Sequence, residues 1–519
     1  MKTIVDPRDK VLFDLDAGAF SPLARKRLTA SWPGVFRWVV LEQLPVDELA
    51  LHFSQNFGRP TRELYSMAGL ILIMEFLGWT AEQAADAYMF HREVQFALNL
   101  GPDRQSLCAR GVARFKKIYR TDALAQQVMD RVTDALIAAL ELKLDRQRVD
   151  STQVLSNMAT FTRTRLMGVS IRRFLAELRK QQRQAYDALD AALRTRYEAT
   201  ENALFADVSR ETAARRQLRE EVAVELYALL TRFETHAQIS AMKSFVALRI
   251  VFHQQCEVKD RQVVVRQKTG GRVLQNPSDP DATYDGHKGP GHKVQLVETC
   301  HPDNAVQLIT VALPQTACET DSQALPVVLQ QLATRQALPT ELVGDTHYGS
   351  DQNQQDCQGL GVELISPVYG PAPAATTKPP AAADTSEAAA KHRRLAVRRE
   401  IQVTVGWRQR YRIRAGIEST NSGLKRRLGL GRLRVRGKSS VQHTILLKIV
   451  GWNILRAACS LKLRENIVRA ARQVQSNTAE MAARLRCILS YAPPQLASLW
   501  SQARILCAFH SSIPQFKAA

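Results

Sequence analysis

The sequence is short of three things, and each shortage excludes a class of protein. Cysteine is sparse and scattered: Cys108, Cys256, Cys300, Cys318, Cys357, Cys459, Cys487 and Cys507 include no C-x-x-C pair. Neither a zinc ribbon nor a disulfide framework is supported, and reduced, cytosolic thiols are the expectation. Long apolar runs are missing as well. No run of about 18 apolar residues occurs, and the opening MKTIVDPRDKVLFDLD lacks the apolar region of a secretion signal. The best apolar stretch, Met67 to Leu77, is short and of helical period, so it reads as core, and no membrane partner is expected. The third shortage is acid. Fifty Asp and Glu stand against 71 Lys and Arg, giving a net charge of +21 and a pI near 9.9. Such a surplus favours a polyanionic partner, most commonly nucleic acid; a ribosome-like or merely basic protein is the rival reading.

What is present divides along the chain. With 519 residues, 45% hydrophobic and 23% charged, this is a soluble globular composition too long for one ordinary core, so several domains are expected. Residues 1–142 read as consecutive short helices with tight turns: Glu63 to Leu77, Ala81 to Phe90 capped by Thr80 with Glu82 as reciprocal partner, Arg92 to Leu98, Ser106 to Tyr119 and Asp122 to Leu142. They suit a helix-turn-helix-like bundle, a packing unit or a DNA reader. Leu144 to Val149 alternates as a short strand that delivers Asp150 at its end. Residues 163–251 are charged and helical, expected as two long amphipathic helices whose charge is a solvated face or a dimer contact. Arg261 to Arg266, with a turn at Thr269-Gly270-Gly271, suggests a β-ribbon, and Asp279 to Gly291 reads as loop. Strands follow at His292 to Glu298, Ala305 to Leu313, Glu341 to Gly344 (ending at Asp345) and Val362 to Pro367, with helices at Thr320 to Ala337 and Ser350 to Gly359. A mixed sheet with helices on its faces is the economical fold. Residues 370–390 are Pro/Ala-rich and expected to be a flexible excursion.

The chemistry concentrates in Trp407 to Lys438, WRQRYRIRAGIESTNSGLKRRLGLGRLRVRGK. On a single helix Tyr411, Arg414, Glu418 and Lys425 fall at roughly 0°, 300°, 340° and 320°, one face within about 60°. One carboxylate among two cations and a phenol is built to hold a charged ligand. Asp150 and Asp345 are carboxylates at the ends of strands, which adjacent strands can bring together. Three hard oxygen ligands with open positions suit Mg²⁺ or Mn²⁺, and a pair of such ions serves in-line phosphoryl transfer. Arg414 and Lys425 would hold phosphates beside them.

These residues resemble a known family. Tyr411, Arg414, Glu418 and Lys425 match the spacing Tyr-x2-Arg-x3-Glu-x6-Lys of bacterial insertion-sequence DDE transposases. Asp150 in RVDSTQV and Asp345 in VGDTHYGSDQN resemble the first two acids of that triad, and DPDATYDGHKGPGHKVQLVET resembles the strand segment between them. FGRP before an apolar helix looks like the family's N-terminal domain, so the resemblance runs over roughly 45–460. Two stretches depart from the simple family order, the helical segment after Asp150 and the Pro/Ala-rich segment before Glu418; insertions at surface turns are tolerated.

The resemblance implies an α/β, ribonuclease-H-like mixed-sheet catalytic core that cuts element ends by hydrolysis and joins the freed 3′-OH to target DNA. It implies that Asp150, Asp345 and Glu418 bind two Mg²⁺ or Mn²⁺ ions, that Arg414 and Lys425 grip phosphates flanking the scissile bond, and that Tyr411 bonds a phosphate or positions the helix. Arg426, Arg427, Arg432, Arg434, Arg436 and Lys438 would contact the DNA backbone, whereas His347, beside Asp345, reads as a loop residue rather than a ligand. The expected domains are 1–142, helical and DNA-end binding; 143–162 with 252–460, the core; 163–251, a helical insertion; and 461–519, a helical tail. Expected partners are double-stranded DNA, as element ends and target, and a second copy of the chain in a dimer or larger assembly, on the bacterial nucleoid in the cytoplasm. Two rivals remain open: a stand-alone metal-dependent nuclease, and a catalytically silent DNA-binding descendant.

Overall fold

The structure is a computed structural model, and it describes residues 1–7, 20–100, 106–201, 203–206, 211–370 and 385–490. Most of the Pro/Ala-rich segment (371–384) and the end of the tail (491–519) therefore lie outside the described residues. Among those described, Cys108, Cys256, Cys300, Cys318, Cys357 and Cys459 are free, and no single helix is long and apolar enough to cross a membrane.

The N-terminal region winds around α1 (Leu64–Leu77). The Glu63 carboxylate accepts from the Tyr65 and Ser66 amides at 2.9 and 2.7 Å, and Gly78, at φ 70°, ends the helix in the left-handed conformation. A helix that is apolar all round must be buried all round; its residues from Ser66 to Phe76 are. Next come α2 (Ala81–Phe90), α3 (Arg92–Ala97), α4 (Ala109–Thr121) and α5 (Leu124–Leu140). Thr80 caps α2, but its capping-box partner is Gln83 and not Glu82, because only the third helical residue can reach back to the cap.

The sheet begins with β1 (Arg146–Val154). An insertion follows, α6 (Arg163–Gln181), α7 (Thr212–Phe233) and α8 (Lys243–Gln255), with shorter helices between, closed by the hairpin β2 (Cys256–Lys259) and β3 (Gln262–Val265). Its core is its own, built on Phe174, Leu226, Phe245 and Leu248. The hairpin turns at Asp260-Arg261, both at positive φ (49° and 62°), so the ribbon pairs backward with Cys256–Lys259 and the turn does not fall at Thr269–Gly271. The expected loop at 279–291 also contains a strand. β4 (Thr283–Asp285) and the start of β5 (Gly289–Thr299) occupy it. Then come β6 (Ile309–Thr316), α9 (Asp321–Thr334), β7 (Glu341–Val343), α10 (Asp351–Gly359) and β8 (Glu363–Ile365).

The main strands lie in the order β6-β5-β1-β7-β8, antiparallel from β6 to β1 and parallel from β1 to β8. This is the ribonuclease-H-like arrangement. One face packs α9 and Tyr348 through Val149, Val297 and Val311. The other joins the N-terminal helices in a shared core through Val154, Val294 and Leu296.

The C-terminal part supplies α11 (Glu387–Gln402), α12 (Val405–Tyr411), α13 (Gly416–Leu428), α14 (Lys438–Ala457) and α15 (Leu461–Ser490). Helix α11 begins inside the stretch expected to be flexible, with Ser386 capping it through the Ala389 amide. Helix α14 lies against α1 so closely that a Cβ on Gly451 would sit 2.0 Å from that of Phe76.

A buried ion pair ties α13 to the sheet. Arg148 Nε donates to Glu298 at 2.8 Å and its Nη1 to the Ile413 carbonyl at 2.8 Å, while Thr420 Oγ1 donates to Glu298 at 2.6 Å. Arg148→Met leaves Glu298 buried without a counter-charge, expected to cost about 3–5 kcal/mol and to lower the thermal unfolding midpoint clearly. The double replacement by Met at Arg148 and Glu298 should recover most of that loss. A single variant as stable as the natural chain would contradict this account.

Candidate active site

Register places the first two acids together. β1 and β7 pair in parallel up to Arg148 and Val343, and Asp150 and Asp345 each lie two residues beyond that last pair. Side chains two apart on a strand share a face, so Asp150 points as Arg148 does, toward α13. One expectation is corrected here: Asp150 does not follow the end of its strand but lies within it. β5 is long enough to keep pairing with β1 as far as Val154, so Asp150 stands opposite Leu296 while already past its parallel neighbour.

Each aspartate is held locally. The Ser151 amide donates to Asp150 Oδ1 at 2.8 Å, and Asn421 Nδ2, from α13, donates to Oδ2 at 3.0 Å. Asp345 caps the short 3-10 turn Thr346–Tyr348 by accepting from the His347 amide at 2.9 Å. His347 Nδ1 stands 3.5 Å from the other Asp345 oxygen, with its ring largely in solvent. Burial pushes the Asp150 carboxyl up to about 6; the charge of Asp345 adds to this, and Ser151, Lys288 and Arg414 offset it only in part. Two half-desolvated carboxylates side by side, short of positive charge, are a donor set that a hard divalent cation fits.

The third acid stands apart. Glu418 is exposed in the first turn of α13 and paired with Arg414 at 2.7 Å. No group of three ligating side chains converges among the described residues. The single-helix expectation for Tyr411 to Lys425 is also corrected, since a 3-10 turn, Arg412–Ala415, separates α12 from α13. At about 120° per residue that turn winds faster than an α-helix, so one uniform ladder does not run through all four residues. Tyr411 stacks on Trp407, ring centres 4.8 Å apart. Burial raises its phenol, with Arg414 opposing and Asp345, Asp150 and Glu418 adding to the rise. Burial and the neighbouring Lys288 lower the Lys425 ammonium against the pull of Asp150.

The arginine run forms a rail. After Gly429, in the left-handed conformation, the chain pairs with the continuation of β1: the Leu155 amide donates to Gly431 at 3.0 Å, that of Leu433 to Leu155 at 2.8 Å and that of Asn157 to Val435 at 2.8 Å. Leu430 and Leu433 are buried while Arg432, Arg434 and Arg436 are exposed, with Lys438 beyond them. Arg426 and Arg427 sit exposed in the last turn of α13.

Sequence reasoning passes over three groups here. Asn421 lies one turn after Glu418 on the same helix face, a spacing that could have flagged it. Lys288, in DGHKGPG, donates to Ser151 Oγ at 2.6 Å, and Ser151 donates to Asp321 at 3.0 Å on the opposite sheet face, where Lys293 also meets Asp321 at 2.8 Å. This network, buried at Ser151, Asp321 and Lys293 and reaching the surface at Lys288, props β1 at the level of Asp150. Nothing in the local sequence marks the third group, Arg148 with Glu298, since they are 150 residues apart.

The sheet order, with Asp150 and Asp345 each just past the last β1–β7 pair, thus defines a ribonuclease-H-like domain. Residues 259–454 match the family model of the transposase DDE domain. That stretch is accordingly similar to a transposase DDE domain. The matched stretch includes Asp345 and Glu418 and begins after Asp150. No curated protein and no solved structure matches the chain.

The raised Asp150 carboxyl has a consequence for stability. Above pH 6 the folded chain holds an ionised group that burial disfavours; the cost fades as pH falls toward the ordinary carboxylate range, where both folded and unfolded forms are protonated. Asp150→Asn should therefore stabilise the chain at pH 8, by about 1–3 kcal/mol, with the gain vanishing near pH 4. An equal gain at both pH values in thermal unfolding would contradict the burial account.

Proposed function

We propose that this chain is the transposase of an insertion sequence, binding the element's terminal inverted repeats, cleaving DNA at the ends and joining the freed 3′-OH to target DNA. The observation that carries the reading is the placement of Asp150 and Asp345 at one level, each two residues beyond the last pair of parallel β1 and β7, in a chain whose residues 259–454 match the transposase DDE domain. Asp150, Asp345 and Glu418 would hold two Mg²⁺ or Mn²⁺ ions, which supply activation of the attacking oxygen and stabilisation of the leaving one.

The chain's own residues do the rest. Lys425 and Arg414 flank the acids and bind the phosphates on either side of the scissile bond. Arg414 also occupies Glu418, so the carboxylate stays neutralised until the phosphate draws the guanidinium away. Tyr411, braced by Trp407, sets the edge of the site. Asn421 fixes the Asp150 carboxylate, with its own Oδ1 buried and without a partner. The rail of Arg432, Arg434, Arg436 and Lys438, with Arg426 and Arg427, grips the backbone without reading sequence, so affinity falls steeply with salt. Recognition of the ends belongs to the N-terminal helices, and the chain works as a dimer or larger assembly on paired ends.

Asp150→Ala, Asp345→Ala and Glu418→Ala should each abolish Mg²⁺-dependent cleavage of end-bearing DNA while leaving its gel-shift affinity within a few fold. Cleavage retained by the Glu418 variant would contradict its role. A natural chain that cuts but fails to join a pre-cleaved 3′-OH end would be a nuclease instead.

A further inference from the structure

Helix α13 has a second working face. Counting Glu418 as zero, Asn421 and Lys425 lie at about 300° and 340°, whereas Ser422, Arg426, Ser419 and Gly423 span about 40° to 140° and Arg427 falls at about 180°. On that reverse side lies a cleft of about 410 Å³, walled by α13 and α14 and closed at the sheet by Arg148 of β1, Glu298 of β5 and Gln307 between β5 and β6. Its floor is the Arg148–Glu298 pair with Thr420, already neutralised and hydrogen-bonded. Its wall is Trp452, which seats flush against α13 because residue 423 is glycine; a Cβ there would meet the indole at 2.2 Å. Trp452 is 7% exposed, and its indole N–H is buried with no hydrogen-bond partner.

The rim is cationic and unspent. Arg426 is steadied by the Ser422 hydroxyl at 2.8 Å, and neither Arg427 nor Arg456 forms an ion pair with an acid among the described residues. Four guanidiniums against one carboxylate leave the lining strongly positive. Planar guanidinium forks beside serine hydroxyls suit phosphate oxygens, and an indole wall suits a sugar. The volume exceeds what one inorganic phosphate needs and falls in the range of a nucleotide-sized ligand.

We propose that this cleft binds a phosphodiester segment of DNA that is not the reacting one, giving the catalytic helix a DNA contact on each side. The proposal rests on the DNA-binding part of the reading above. DNA backbone is favoured over a free nucleotide by continuity along the chain: Arg426 and Arg427 close α13, and the arginine rail begins at Arg432 shortly after Gly429.

The test uses the full chain, a mixed-sequence duplex and no divalent metal, so that it does not depend on cleavage. Arg456→Glu should weaken duplex binding about tenfold at low salt, and Arg456→Gln should make the slope of log affinity against log salt shallower by about one, the share of a single phosphate contact. Arg456→Lys should restore the slope, which a merely structural loss would not allow. Slopes equal to the natural chain's in all three variants overturn the proposal. So does a deoxymononucleotide that competes away the Arg456-dependent part of binding, since the cleft would then be a nucleotide site. Failure of the natural chain to cleave with Mg²⁺ would overturn the transposase reading and leave the cleft standing.

Discussion

The site depends on the buried pair of Arg148 and Glu298. Arg148 lies two residues before Asp150 on the same strand face, and Glu298 stands directly opposite it on β5. The guanidinium then reaches the Ile413 carbonyl, and Thr420 returns from α13 to the same carboxylate. The strand that carries Asp150 and the helix that carries Glu418 are therefore joined by side chains two residues from each acid. Burying an ion pair adds little net stability; removing either partner is what costs. What the pair secures here is geometry. Gly416 is part of it, because a Cβ at that position would lie 2.0 Å from the Arg148 guanidinium.

The far end of the same helix is held from the N-terminal region. Lys448, buried in α14, donates at 2.6 Å to the Leu428 carbonyl, which closes α13, and at 2.9 Å to the Glu75 carbonyl in α1. Glu75 in turn meets Lys116 of α4 at 2.5 Å and Thr444 of α14 at 3.0 Å. Burial raises its carboxyl, and Lys116 leads the charges and hydrogen bonds that outweigh burial and leave it below its ordinary value. The helices that would meet the DNA ends thus share a hydrophobic core and a charged junction with the helix at the chemistry, so the two are packed as one body of side chains.

Much of this was legible in the sequence, for physical reasons that also set the limits. Helices with strong periodicity and caps, such as Leu64–Leu77 between Glu63 and Gly78, announce themselves locally. The alternating HKVQLVE and the short apolar ELV give strands, and their acids give the chemistry. What could not be read is set by partners distant in sequence. Asp150 lies inside its strand because β5, almost 150 residues later, is long enough to keep pairing. The ribbon turns at Asp260-Arg261 because a two-residue turn needs positive φ, which non-glycine residues supply there against propensity. The Tyr411 to Lys425 spacing was visible, yet its 3-10 interruption at Arg412–Ala415, beside the point where Gly416 lets the Arg148 guanidinium approach, was not. Asn421, the nearest helix partner of Asp150, carries no signal beyond its spacing.

The central proposal is that Asp150, Asp345 and Glu418 form one divalent-metal site, although Glu418 is paired with Arg414 and stands apart from the two aspartates. Fe²⁺ exchanged for Mg²⁺, with ascorbate and peroxide, cuts a polypeptide where the ion sits. On the DNA-bound chain the expected fragments end near residues 150, 345 and 418, and all three cuts should fade together as Mg²⁺ is added back. Cuts near 150 and 345 without one near 418, or cuts indifferent to Mg²⁺, would contradict the account.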